Sequence, residues 1–328
     1  MKKTYFLLLA ISLLFLLLSC AQNGTEEEPD ETGNETDTEE TDPVGNEDEE
    51  DSVSDPADEQ ETTSEETNEE EQSITEETID RSVMIQGHRD FEVDGELLTY
   101  SIHRLDEQLP LEDVLMESLK LSEETNKLET LETIAIDGTT ASLHFTEDHE
   151  LPSMASAEEW YLTETLFNIS SLYGIETLEF YTGDVPGVEF GQTGKMETLE
   201  IEAPDNRGYY MYGEIDEETT YISGAAVQEE MTNESGDLMA FTETVESMQA
   251  VQESAFYQSG INEEIEIVDV TVNDAIAEVH YNISDSQEGL ADFENALQLA
   301  ALDFKFEELH LNNVEEGEMR IFLFDIAK

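Results

Sequence analysis

Six histidines, one cysteine and one glycine-rich turn are the places where this chain could do chemistry. The histidines are His88, His103, His144, His149, His280 and His310, and none forms the H-x-x-x-H spacing of a close metal-ligand pair. His144 and His149 flank Glu147 and Asp148, a weak pattern for a divalent cation. Gly191-Gln192-Thr193-Gly194-Lys195 has the composition of a phosphate loop without its spacing, and Met196 stands where a Ser or Thr would reach magnesium. An ordinary glycine-rich turn is the better reading there. The chain carries 83 carboxylates, so close acid pairs arise by chance and mark no general acid–base work. Asp48-Glu49-Glu50-Asp51 lacks the alternating ligands and central glycine of a calcium loop. Cys20 is the sole cysteine, which excludes structural disulfides and multi-cysteine zinc sites. No catalytic, cofactor-binding or metal-binding residue is assigned, no cofactor is expected, and the chain reads as a protein that is not an enzyme.

Cys20 gains meaning from what precedes it. Lys2 and Lys3 form a positive start, and Tyr5 to Leu18 is apolar apart from Ser12. That run is shorter than the ~20 residues a spanning helix needs, and it has the proportions of a secretory h-region. Leu17-Leu18-Ser19-Cys20 resembles the lipobox of bacterial lipoproteins. The resemblance implies that residues 1–20 are a lipoprotein signal peptide with its lipobox, and that the Cys20 thiol is acylated, palmitate being the expected chain type. The peptide is then cut before Cys20, which leaves no free thiol for catalysis. Two acyl chains on one residue give stable anchoring where one would be marginal. The expected location is the extracytoplasmic face of the cell membrane. An ordinary signal peptide with a chance cysteine, or an uncleaved anchor, are the alternatives.

Beyond Cys20, composition divides the chain. Ala21 to Asp80 holds 27 Asp or Glu and no Lys or Arg, with few apolar residues. Such a segment cannot bury enough surface to offset its chain entropy, so residues 21–82 are expected to be a disordered acidic linker. Like-charge repulsion would stretch it beyond a neutral coil of roughly 45 Å, making it a tether. Arg81 to Lys328 carries 56 acidic and 10 basic residues, a net charge of −46. Self-repulsion on that scale is relieved by salt, which points to a saline or alkaline habitat. It also excludes nucleic acid and anionic head-groups as partners, because both need basic patches.

The rest of the chain reads as an internal repeat. Ile134, Ile136, Ala141, Leu143, His144 and Phe145 correspond, at an offset of 136, to Val270, Val272, Ala277, Val279, His280 and Tyr281. Both sets alternate as half-buried strands do, with Asp137-Gly138 or Asn273-Asp274 at a tight turn. Leu162, Leu166, Ile169 and Tyr173 make one helical face, and Phe293, Leu297, Ala300 and Phe304 repeat it at an offset of 131. Ile175, Leu178 and Phe180 match Phe306, Leu309 and Leu311 as a closing strand. Gly174 would end the first helix in the left-handed conformation; Lys305 stands there in the second copy, so that helix is expected to end differently. Upstream, Leu111, Val114 and Leu121 match Leu238, Phe241 and Met248 at an offset of 127. Leu98, Tyr100 and Ile102 alternate as a strand, with Tyr210, Tyr212 and Thr220-Tyr221-Ile222 as the counterpart. Trp160 begins an apolar helix and is expected to be at least partly buried.

The expected fold class is therefore α+β: two tandem repeats of a strand-helix-hairpin-helix-strand, two-layer domain after the acidic tether. Residues 83–202 form the first domain and 203–328 the second, more divergent one, with Ala203-Pro204-Asp205-Asn206-Arg207-Gly208 as the turn-rich boundary.

The element order, Ala141-Ser142-Leu143-His144-Phe145, the helix with Glu158-Glu159 and Leu166, and Ile175-Glu176-Thr177-Leu178-Glu179-Phe180 resemble the GerMN domain of sporulation and spore germination proteins. The second copy, with Ala296-Leu297-Gln298-Leu299-Ala300-Ala301 before Phe304-Lys305-Phe306, resembles it more weakly. The resemblance implies a non-enzymatic, lipid-anchored scaffold or assembly protein of sporulation or germination envelope complexes. Its implied partners are the lipid membrane through Cys20 and other exported envelope proteins, and a homo-oligomer is allowed. The alternatives are a ligand- or cation-binding sensor lipoprotein with a cleft between its domains, and an extracytoplasmic hydrolase.

Overall fold

The computed structural model describes residues 74–90, 97–202, 208–215, 217–230, 232–251, 256–283 and 287–328. The first segment holds β1 (Thr75–Ile79), β2 (Val83–Asp90), β3 (Leu97–Arg104), α1 (Leu111–Ser122), β4 (Leu131–Asp137), β5 (Thr140–Phe145), α2 (Ser156–Leu172) and β6 (Thr177–Thr182). Four short strands close it: β7 (Val185–Pro186), β8 (Val188–Phe190), β9 (Gly194–Met196) and β10 (Thr198–Glu200). The second segment holds β11 (Tyr209–Ile215), β12 (Glu218–Ser223), α3 (Gly224–Val227), α4 (Phe241–Gln249), β13 (Ile265–Asn273), β14 (Ile276–Ile283), α5 (Leu290–Asp303), β15 (Glu308–Asn313) and β16 (Glu318–Leu323). The class is α+β.

Matching stretches of sequence adopt matching pairings. In the first segment β4 and β5 are antiparallel, β5 and β6 parallel, and β6 and β10 antiparallel, in the order β10-β6-β5-β4. In the second, β13, β14, β15 and β16 repeat those three senses in the order β16-β15-β14-β13. Even the hairpin irregularity repeats: the register shifts between Leu131 and Thr133, and between Ile267 and Asp269. A bulge of this kind bends and twists the strand it interrupts, so both hairpins curl alike. Two helices, at positions that do not correspond in the repeat, start alike: Glu158 reaches back to the Ala155 N–H at 2.7 Å before α2, and Glu243 to the Ala240 N–H at 2.8 Å before α4.

Three features depart from the sequence reading. First, each segment opens on a hairpin, and the two hairpins join edge to edge in one antiparallel sheet of order β11-β12-β3-β2. The join runs Tyr221 to Tyr100 and Ile222 to Thr99. Tyr100 donates to Asn168 on α2 at 2.9 Å, and Tyr221 to Asp292 on α5 at 3.0 Å. The shared sheet thereby holds both long helices, and the segments are not independent two-layer bodies.

Second, Thr75–Ile79 is not part of a linker. It forms β1, parallel to β16 of the second segment, from Thr75 opposite Glu318 to Ile79 opposite Phe322. Only Ile79 is buried, so the backbone ladder and the Glu77–Arg320 pair hold the strand. Acidic composition hides such a strand, because its side chains face water while its amides are satisfied by the ladder.

Third, the α1/α4 correspondence moves by one residue. Leu121 is 44 % exposed whereas Met248 is buried. The buried faces agree when Leu115, Ser118, Leu119 and Ser122 match Phe241, Thr244, Val245 and Met248. One residue turns a helix by about 100°, so burial fixes a register that a loose apolar pattern leaves open.

Candidate functional site

The glycine-rich turn cradles an anion, and the anion is the protein's own. Between β8 and β9, the Gln192 N–H donates to Glu159 Oε2 at 2.6 Å and the Thr193 hydroxyl to Glu159 Oε1 at 2.5 Å. A Cβ on Gly191 would stand 2.3 Å from that carboxylate, at φ +46°. The glycine therefore lets the backbone close over Glu159. The Thr193 hydroxyl, helped by the amides of Gln192 and Thr193, holds the Glu159 carboxyl below its ordinary range. The turn is structural, as its spacing indicates.

The histidines do not converge. His144 stacks on Tyr181 with ring centroids 4.6 Å apart and contacts the Gly183 carbonyl at 3.0 Å. His149 lies at the Thr182 hydroxyl, and burial pushes its imidazole pKa down. His280 pairs with Glu278 at 2.9 Å and His310 with Glu308 at 2.7 Å, both on the outer face of their sheet. His88 meets Ser101 at 2.7 Å, and His103 faces Glu218 at 3.5 Å. Among the described residues no group of three or more His, Cys, Asp or Glu is placed to hold a metal ion. Trp160 is 48 % exposed, beside the Arg89 guanidinium at 5.7 Å, so it is a half-exposed surface group.

Cys20 lies outside the described residues, as do residues 21–73 of the acidic segment. No helix among the described residues is long and apolar enough to cross a membrane.

What the fold brings together lies at the seam between the segments. The C-terminal tail crosses from β16 to the end of α2, where the Ala327 N–H donates to the Tyr173 carbonyl at 2.9 Å. Phe324, Ile326 and Ala327 are buried there. Gly174 admits the tail, since a Cβ on it would lie 2.7 Å from the Ala327 carbonyl oxygen. Beside this crossing, the ends of α2 and α5 and the Thr139 turn border a cavity of about 460 Å³, walled by Ile175, Ile201, Glu176, Glu200 and Lys305. Sequence reading singled out Gly174 and Lys305 only as helix stops; their meeting at one cavity is a tertiary fact.

A second surface is the edge of the outer sheet. β13 ends the order β1-β16-β15-β14-β13, and its Val268 and Val272 are 51 % and 46 % exposed. A larger, more open hollow of about 570 Å³ is walled mainly by carboxylate and hydroxyl side chains, including Glu230, Thr232, Glu243, Glu246 and Ser247.

No family model matches the chain, and no curated protein matches it. Among solved structures, it is similar to the tandem GerMN domains of the sporulation protein GerM from Bacillus subtilis, at 10 % sequence identity and a TM-score of 0.39, over 68 % of this chain and 89 % of that one.

Proposed function

We propose that this protein is a non-enzymatic scaffold, tethered by lipid at Cys20 to the extracytoplasmic face of the cell membrane, whose folded part docks other exported proteins. The two segments are read as tandem copies of one domain, and the acidic stretch after Cys20 as the tether that carries them away from the bilayer. The observation that carries the reading is the β13 edge. Val268 and Val272 are exposed on the last strand of a five-stranded sheet. An open strand edge offers main-chain donors and acceptors to a partner strand, and exposed valines add side-chain selectivity. The resemblance of the sequence to GerMN domains directs the proposal to the envelope complexes of sporulation or germination.

Two measurements test it. Metabolic labelling with a clickable palmitate should mark the wild-type protein and not Cys20→Ala, which should also leave the membrane fraction. Crosslinking of the lipidated protein in native membranes, in growing and in sporulating cells, should recover a defined set of exported proteins. Replacing Val268 by Lys should remove that set while leaving the fold intact by circular dichroism. Recovery of the same partners by the Lys variant would move the docking face elsewhere. Recovery of none by the wild type in either state would end the scaffold reading.

A further inference from the structure

Two sheet edges are closed by the protein itself. On β2 the Ile85 N–H meets Ser118 Oγ and the Tyr173 hydroxyl, and the Gly87 N–H meets Ser122 Oγ. On β11, Met211 exchanges both main-chain bonds with Gln258 at 2.8 Å. The β13 edge differs. The two-residue turn Asp274-Ala275 closes its hairpin, so Asn273 bonds Ile276, Thr271 bonds Glu278 and Asp269 bonds His280. The N–H and C=O groups of Val270 and Val272 therefore point away from β14, and among the described residues no loop meets them.

The sister strand sharpens the contrast. The bulge on β4 falls at Glu132 and that on β13 at Val268, which is 51 % exposed. A charge on an edge strand discourages pairing, and a valine there invites it. Side chains directly opposite in a sheet share a face. Val270 and Val272 share theirs with the buried Val279 and Ala277, whereas Glu266 and Asp269 lie on the other face, opposite Asn282 and His280. Both carboxylates are exposed, no basic side chain among the described residues pairs with either, and His280 is held by Glu278. A second copy is the wrong occupant. Two β13 strands would bring Glu264, Glu266, Asp269 and Asp274 of each copy onto one short ladder, where like charges repel. The acidic segment of this chain, without Lys or Arg, fails for the same reason.

We infer that β13 takes a basic extended segment of another protein as an added strand, in which Lys or Arg alternates with an apolar residue. Its basic side chains lie beside Glu266 and Asp269, and its apolar ones beside Val270 and Val272. The inference rests on the scaffold reading for its site and adds the chemistry of the partner.

The test is hydrogen exchange and titration of the full-length lipidated protein in detergent with short peptides, acetylated and amidated at their ends. A peptide alternating lysine and valine should saturate with a Kd of about 100 μM or tighter and slow exchange across β13 about tenfold. A peptide alternating glutamate and valine should do neither. The lysine–valine peptide N-methylated on every second residue, made in both phases, should in one phase bind about tenfold more weakly, although its charge is unchanged. The double variant Glu266→Lys, Asp269→Lys, folded by circular dichroism, should prefer the glutamate–valine peptide. Failure of the lysine–valine peptide to saturate, equal binding of both peptides, undiminished binding in both methylated phases, or an unchanged preference in the double variant would each overturn the inference. If any of these occurred while crosslinking in membranes still depended on Val268, docking at β13 would stand and only the basic-strand chemistry would fall.

Discussion

Gly174 and Lys305 end equivalent helices on the same hydrogen bonds. The Gly174 N–H donates to Ser171 O and the Ile175 N–H to Ser170 O; the Lys305 N–H donates to Leu302 O and the Phe306 N–H to Ala301 O. The sequence leads one to expect a different ending at Lys305, and the structure gives the same one. The chain turns back at once into β15, and the amides of Glu307, just before the strand, and Glu308, its first residue, bond the Ala275 carbonyl as those of Glu176 and Thr177 bond Thr139. Lys305 also donates from Nζ to Leu302 O at 3.3 Å, which eases the cost of its backbone.

The two positions should respond in opposite ways to substitution. Gly174→Ala must carry a Cβ at φ +77°, 2.7 Å from the Ala327 carbonyl oxygen. It should lose about 2–3 kcal/mol, part of it through displacement of the C-terminal tail. Lys305→Gly should gain about 0.5–1 kcal/mol. Urea denaturation midpoints of the two variants would check both signs.

Tyr173 should be worth more than its ring. Its hydroxyl donates to the Val83 carbonyl at 3.0 Å and accepts from the Ile85 N–H at 3.0 Å, with Ser118 Oγ 2.6 Å away. All of these groups are buried along the free edge of β2, where Ser122 of α1 also accepts from the Gly87 N–H at 2.7 Å. Tyr173→Phe keeps the packing and leaves buried polar groups short of partners, at a cost of about 2 kcal/mol. Amide exchange at Val83–Gly87 should accelerate, while exchange in β14 should stay as it was.

Arg320 should be needed because Glu294 is buried. Arg320 pairs with Glu294 on α5 and, at 3.3 Å, with Glu77 on β1. Burial raises the Glu294 pKa, and the Arg320 charge opposes that rise. Arg320→Met strands the carboxylate and should cost about 3 kcal/mol at neutral pH. A raised folded pKa means that the ionised state is the disfavoured one, so the loss should shrink as pH falls and Glu294 takes up a proton. Adding Glu294→Leu should recover most of it, measured as a double-mutant cycle at pH 7 and pH 5.

Glu159 should behave with the opposite sign. Its folded pKa is depressed by Thr193 and the neighbouring amides. The stability it contributes is therefore complete above its unfolded pKa and is lost as pH falls through the lower folded value. Glu159→Gln should cost about 1 kcal/mol at pH 7, discounted for partial exposure, and progressively less as pH falls below the ordinary carboxylate range. Melting curves of both proteins over an acid pH series would show the difference closing.

The sequence alone was enough for whatever is periodic and local. Alternation marked β4, β5, β13 and β14, and the 3.6-residue stripe marked α2 and α5, because one buried face leaves its period in the residues. The wrong spacing around Gly191 was also legible, and the turn there holds the Glu159 carboxylate.

Tertiary structure decided whatever depends on backbone pairing across long separations. β1 is written in Thr and Glu, and only its ladder with β16 makes it a strand. The junction of Tyr100 with Tyr221 joins residues far apart in the chain through amides, which carry no sequence signature. The cavity beside Gly174 and Lys305 exists because the C-terminal tail crosses from one segment to the end of the other's helix. Periodicity reports which side of an element is buried. It does not report against which distant element, since apolar contact is non-directional and the partner is chosen by the packing of the whole.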